Sequence, residues 1–410
     1  MVESTPARDH LRSASPDVDE RPPPIHGLAI ETVAQILACF DSASLLSAIR
    51  AHPLFHATFQ GFQQPILREI LLRLEVPVQL LPLAFATYEA ASMDCSDWNL
   101  IRRLLNRVHV GQGQASSPSP PPLTLRMVAA MERVHLMVGY FSADFARQAR
   151  PRFNRLFDIT SLRTATGSPS EELRILRAFY RFQLYCTIFG RAALKTARQA
   201  KSPEDVQREL QYFFWPWPPW VNEQLACVLD CLGNVISVFF DDVASHDVEW
   251  GWRNVDWVEP NLAIPHRRFL LYNGFELPFQ LSQSDEFETW KTLLESADVC
   301  PNWPGDECPG TLANSLTNSV APISATDAEE FPSRLGMYDT DELRRLGGPA
   351  AWEGIGDAET LPVDMWKFAN ENDSPRVSVF GPPNLLLRDA GYVFWDGYVG
   401  DIPEVWERLE

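Results

Sequence analysis

No apolar run in this 410-residue sequence reaches bilayer length; a spanning helix needs about 18 or more such residues. The first 24 residues, MVESTPARDHLRSASPDVDERPPP, carry charges throughout and have no apolar centre. They do not form a secretory signal and read as a disordered tail closed by a stiff proline triplet. No membrane partner is expected, and the cytoplasm or nucleus is the expected location. The seven cysteines, at 39, 95, 186, 227, 231, 300 and 308, are odd in number and scattered. That pattern argues against a disulfide framework and fits a reducing compartment, with buried thiols expected at all seven. Cys227 and Cys231 are four apart, but no histidine follows at a zinc-ligand spacing. There is no HExxH, no GxSxG and no Walker loop, so no catalytic residue, metal or cofactor is assigned, and the chain is not read as an enzyme.

Strand signals are almost as scarce. Only VSVFG (377–381) and GYVFWDGYV (391–399) alternate β-branched and aromatic residues in the manner of strands. No internal repeat is visible. GQGQASSPSPPP at 111–122 is a low-complexity linker, not a phosphate loop, because no strand precedes it and prolines follow where a helix would begin.

Helical periodicity fills most of the rest. Hydrophobic residues make up 45% of the chain and aromatics 11%, the composition of a packed protein. The net charge of −19 is unevenly spread: residues 101–200 hold 16 Lys and Arg against 5 Asp and Glu, and residues 284–410 hold 8 against 25. The arginines of the basic middle alternate with apolar residues along helices, as in RILRAFYRF. Phosphate binders present a mixed Lys/Arg patch instead, so nucleic acid is not expected as a partner. Ion pairing between the basic middle and the acidic C-terminal part is expected, a task for which the guanidinium fork is suited.

The folded part opens with LAIETVAQILACFDSASLLSAIRAHPLFHATF (28–59). Ile30, Val33, Ile36, Leu37 and Phe40 recur at intervals of three and four and predict a first helix that stops near Phe40. Asp41 or Ser44 caps a second, striped by Leu45, Leu46 and Ile49. His52-Pro53 interrupts it, because proline disfavours helix in the residue before it. LFHATF forms a third piece, and GFQQPILREILLRL a fourth. The segment is short for a core of its own yet has clear stops, as a docking module does.

Leu28 to Leu37 resembles the first helix of the F-box family, whose pattern begins Leu-Pro-x-Glu and runs to Ile-Leu; Ala29 stands at the proline position and Thr32 at an aliphatic one. Phe40-Asp41 and Ser44-Leu45-Leu46 resemble its second helix, and Ala51 to Phe55 its short turn before an aromatic residue. The resemblance covers about a tenth of the chain. It implies that Leu28, Glu31, Ile36, Leu37, Leu45, Leu46 and Phe55 form the module and that part of this set binds a Skp-type adaptor of a cullin–RING ubiquitin ligase. The remaining residues would then select an unknown protein target. FFWPWPPWVNEQLACVLDCL (213–232) and LLLRDAGYVFWDGYVGDIPEVWERL (385–409) look like segments of filamentous-fungal proteins with F-box-like N-termini. The alternative is a helical protein–protein interaction domain with no link to ubiquitin.

Two further stretches invite a functional reading. WPWPPW (215–220) could serve as a polyproline-type ligand, but between two apolar helices a packed corner is the stronger reading. FFDDVASHDVEW holds the densest acid–histidine cluster: Asp241, Asp242, His246, Asp247 and Glu249. Its paired aspartates are expected to leave the helix and cap the next turn, since negative charge is unfavourable at a helix C-terminus. His52, His56, His109 and His135 read as structural. The expected organisation is mainly α. A tail (1–24) leads to an F-box-like trihelical module (25–75), packed on or linked to a large all-helical domain (123–300) through connecting helices (76–110) and the linker (111–122). A flexible loop (301–335) and a small irregular acidic element (336–410) follow.

Overall fold

The computed structural model describes residues 25–110, 122–157, 167–190, 202–214, 216–217, 219–247, 269–297 and 382–396, together with a few single positions between 312 and 369. The tail, almost all of the Pro-rich linker, VSVFG, Glu249 and most of the 301–335 loop lie outside the described residues. The protein is mainly α-helical, with no strand among the described residues. The chain divides into two compact units between Ile70 and Leu71.

In the first unit, α1 spans Ile30–Ala38 and α2 spans Ser42–Ala51. Asp41 caps α2: its carboxylate accepts the Ser44 backbone N–H at 2.6 Å and the Ser44 hydroxyl at 3.1 Å, satisfying donors that the first turn cannot pair internally. α2 ends at His52, whose backbone is extended (φ −143°, ψ 127°), as the following proline requires. The same residue starts α3, Pro53–Arg73, where His52 Nδ1 accepts the Leu54 N–H at 3.1 Å. α3 is kinked at Phe62 (φ −123°, ψ 26°), three residues before Pro65. Proline lacks the N–H of the i to i−4 ladder, so the break has a covalent cause. Val33, Leu37, Leu45, Ile66, Leu67 and Ile70 are all buried.

The second unit is built around α7, Pro169–Tyr185, which packs against α4 (Leu81–Ser92), α6 (Leu125–Leu156) and α9 (Pro219–His246). α4 also packs on α5, Trp98–Val110. α8 (Pro203–Glu209), α10 (Glu276–Ser282), α11 (Phe287–Ala297) and α12 (Pro382–Asp389) complete the described helices, with α12 lying on α6 and α9. α7 begins with a capping box. Ser168 Oγ accepts the Glu171 N–H at 3.1 Å, and Glu171 Oε2 accepts the Ser168 N–H at 2.8 Å. The sequence pattern predicts a helix from Ser170 to Ala200; α7 widens into a π turn at Cys186–Gly190, and residues 191–201 lie outside the described set. Here a Cβ on Gly190 would stand 2.5 Å from the Tyr272 carbonyl oxygen, so the close approach depends on glycine.

Aromatic side chains fill the interior. The Phe275 ring lies 5.6 Å from Phe141, 5.9 Å from Phe179 and 5.3 Å from Phe182, spacings at which aromatic pairs attract beyond their area burial. The GYVFWD stretch, which alternates like a strand, is a buried turn after α12. Gly391 (φ +61°) donates to the Arg388 carbonyl at 2.9 Å and Tyr392 donates to Leu387 at 3.2 Å. These two bonds form a Schellman cap, which needs a left-handed residue where the glycine stands. Tyr392, Val393, Phe394 and Trp395 are then wholly interior.

Candidate functional site

The seven side chains singled out at the N-terminus do not share one environment. Leu37 and Leu45 are completely buried, and Leu28, Ile36 and Phe55 are half-buried. Glu31 is exposed in the first turn of α1, where a carboxylate complements the helix dipole. Leu46 is 37% exposed although it follows a residue with no exposure at all. Ile30 is 43% exposed. The helical stripe that runs through Val33 and Leu37 places Ile30 inward, so its exposure was not visible in the periodicity. α1 and α2 are in contact, and each carries one large apolar side chain open to solvent. The chemistry available is apolar burial by a second surface, with Glu31 as a polar element.

The arginines of RILRAFYRF turn inward. Arg174, Arg177 and Arg181 are each at most 5% exposed. Arg174 Nε donates to the Phe394 carbonyl at 2.9 Å, and its Nη2 to Asp396. Arg177 donates to Gln224 Oε1 at 2.8 Å. Arg181 donates to the Val221 carbonyl and to Asn222 Oδ1, both at 2.7 Å. Trp217 of the WPWPPW corner is buried, with the Arg181 guanidinium 4.5 Å from its ring centre and the His109 ring 5.4 Å away edge-on. Trp220 is buried too, so both described tryptophans of the corner serve packing. Burial lowers His109 to about 4, opposed by the backbone carbonyl of Tyr212 and assisted by Arg181.

Asp241, Asp242 and His246 of the acid–histidine cluster lie within one helix, Asp247 follows its end, and Glu249 lies outside the described residues. α9 continues through Asp241 and Asp242 to His246, contrary to the expectation that the aspartates leave it. His246 lies one turn beyond Asp242, with Nδ1 2.8 Å from its carbonyl oxygen and 3.5 Å from its carboxylate. Asp247 is engaged by Lys291 Nζ at 2.7 Å. Among the described residues no group of three or more His, Cys, Asp or Glu is placed to hold a metal ion. The five described cysteines are thiols; Cys186 and Cys227 are buried as expected, but Cys39 is exposed. Burial pushes Cys231 up to about 12 and Cys227 well above its ordinary value, which disfavours the reactive thiolate.

A buried ion network fixes the C-terminal segment. Arg388 grips Glu223 with two hydrogen bonds, Nε to Oε1 at 2.6 Å and Nη2 to Oε2 at 3.0 Å, and reaches Asp230 at 3.3 Å. Burial opposes the charge on Arg388, but the Glu223 and Asp230 carboxylates outweigh it and raise its pKa above the ordinary arginine value. No single helix among the described residues is long and apolar enough to cross a membrane. Comparison of the chain with models of known families, with curated proteins and with solved structures finds no match.

Proposed function

We propose that residues 28–59 are an F-box-like docking module. In this reading the chain is a substrate receptor that binds a Skp-type adaptor of a cullin–RING ubiquitin ligase and presents an unknown protein target through its helical second unit. The observation that carries the reading is the partition within α1 and α2. Leu37 and Leu45 are spent on the interior, whereas Ile30 and Leu46 keep apolar surface in water. Apolar side chains left open on well-formed helices gain free energy when a partner covers them, about 25 cal/mol per Å² of apolar surface. The inward turn of Arg174, Arg177 and Arg181 supports a protein partner over nucleic acid, since these guanidinium groups are committed inside the unit.

The test is capture of a purified Skp-type adaptor by the full chain. The wild type retains the adaptor, and Ile30→Asp and Leu46→Asp release it without loss of helicity. Failure of the wild type to retain it would leave the alternative, a helical protein–protein interaction protein with no ubiquitin link. The same exposed pair favours that alternative as well, because it fits an apolar partner of another kind.

A further inference from the structure

A groove of about 210 Å³ opens in the second unit between α6, α9 and α12. This is smaller than the roughly 300–1,000 Å³ of sites that engulf drug-sized molecules, so its occupant is on the scale of a single amino acid. Phe145 and Ala149 of α6 and Val235 and Val238 of α9 supply apolar wall. Three charged side chains stand beside them: Arg388 of α12, already held by Glu223 and Asp230, and the opposite pair Arg152 on α6 and Asp389 at the end of α12.

This pair differs from the other cross-helix pairs of the unit. Arg152 Nη1 and Asp389 Oδ2 are 3.9 Å apart, beyond hydrogen-bond distance, with side chains 43% and 38% exposed. Asp389 otherwise accepts only a long 3.4 Å contact from Asn234 Nδ2. Neighbouring charges are already engaged: Asp144 by Arg147 and Gln148, and Asp230 by Arg388. The remaining N–H groups of Arg152 and the remaining acceptor sites of Asp389 face no further partner among the described residues. Burial holds the Asp389 carboxyl above its usual range despite Arg152 and Asn234, a sign of an incompletely compensated charge.

An ion of one sign gains little from such a pair, since attraction to one member is offset by repulsion from the other at nearly the same distance. A zwitterion laid antiparallel to the pair gains from both. We propose that the groove binds a free α-amino acid with an apolar side chain, its carboxylate on Arg152, its ammonium on Asp389 and its side chain against Phe145 and Val235. Arginine presents its donors in a fork that matches a carboxylate, and Asn234 steadies the opposite oxygen of Asp389. The proposal does not depend on the docking role of the first unit.

Calorimetric titration of the full chain with L-leucine tests it, with thermal melting as the check on folding. Leucine binds saturably in the millimolar range or tighter. N-acetyl-L-leucine, L-leucinamide and glycine, which lack the ammonium, the carboxylate and the side chain in turn, each bind at least about tenfold more weakly. Arg152→Gln and Asp389→Asn each weaken leucine binding by about tenfold or more while melting near the wild type, because both positions are part-exposed. Absence of leucine binding overturns the proposal. So does equal binding of the acetylated or amidated compound, which would mark an ordinary apolar cleft, and so does undiminished binding by the two folded variants.

Discussion

Arg174 and Asp396, 222 residues apart in sequence, are joined by a direct guanidinium–carboxylate bond at the start of α7. Arg174 is buried, and its Nε also holds the carbonyl of Phe394. The Asp396 carboxylate meets the hydroxyls of Ser168 and Ser170, and its N–H donates to Glu171 Oε1 at 2.7 Å. The capping box of a central helix thus doubles as the receptor for the C-terminal turn. Arg150 completes the clasp with two bonds to Glu171, at 2.6 and 3.0 Å, its guanidinium 5.0 Å from the Trp395 ring centre.

Removing one side of this bond leaves the other charge without compensation in a desolvated place. Arg174→Met is therefore expected to lower unfolding free energy by about 3 kcal/mol, somewhat under the full cost of breaking an entirely buried pair because Asp396 keeps some contact with water. Burial tends to raise the Asp396 carboxyl, but the two serines and Arg174 outweigh it and depress its pKa. A depressed acid contributes stability that is present above its unfolded value, near pH 4, and is lost as pH falls through the lower folded value. Urea titrations at pH 7 and below pH 4 check both points, and Asp396→Asn is expected to reduce the acid-side loss.

His109 gives a second pH signature, in a different window. Its folded pKa of about 4 lies below the ordinary 6.5, so the unfolded chain takes up the proton first. Stability falls as pH drops from about 6.5 towards 4, with a slope no greater than about 1.4 kcal/mol per pH unit. His109→Phe keeps a ring against Trp217 and is expected to flatten the profile in that interval. An unaltered slope would show that His109 is not the group responsible.

Arg388 offers a test of geometry against charge. Its two bonds to Glu223 use the planar fork, and a third reaches Asp230. Lysine keeps the charge but cannot grip a carboxylate in two places. Arg388→Lys is expected to destabilise the protein by about 2 kcal/mol or more, with Arg388→Leu worse because both acids are then left uncompensated. Chemical denaturation curves for the two variants rank them.

Thr58 is fully buried on α3, and its hydroxyl has no hydrogen-bond partner among the described residues. Such a group carries a desolvation cost of about 1–3 kcal/mol. Valine has nearly the same shape without that cost, so Thr58→Val is expected to raise the melting temperature. A lower melting temperature would mean that the hydroxyl is satisfied by an ordered water.

Features with nearby causes were legible in the sequence, and those with distant causes were not. Asp41 and His52-Pro53 lie within three residues of what they control, so the cap and the stop could be read directly. The inward turn of Arg177 and Arg181 could not, because Gln224, Asn222 and the Val221 carbonyl, which accept from their Nη groups, come from another helix. The pairing of the basic middle with the acidic end was expected in general and is seen in Arg174–Asp396 and Arg152–Asp389, though sequence supplied neither partner. GYVFWD misled because buried turns and strands both favour aromatic and β-branched residues. Its glycine in the left-handed region was the usable signal. Ile30 shows the limit of periodicity, since a stripe assigns a face to a helix without showing where the covering element stops.

Leu45 and Leu46 are adjacent in sequence, yet their burial separates the two uses of α2. Leu45 has no exposure, so Leu45→Asp places a carboxylate in an apolar interior. The cost of burying it unpaired exceeds what a small unit is expected to withstand. Leu46 is 37% exposed, and Leu46→Asp is expected to change stability by no more than about 0.5 kcal/mol. Hydrogen exchange of the α1 and α2 amides in the full chain distinguishes them, with protection lost in the first variant and kept in the second. A loss of adaptor binding in Leu45→Asp therefore says nothing about contact, because the module itself is disrupted. The same loss in Leu46→Asp, with exchange protection intact, places the partner on this face, and retained binding there would remove α2 from the docking surface.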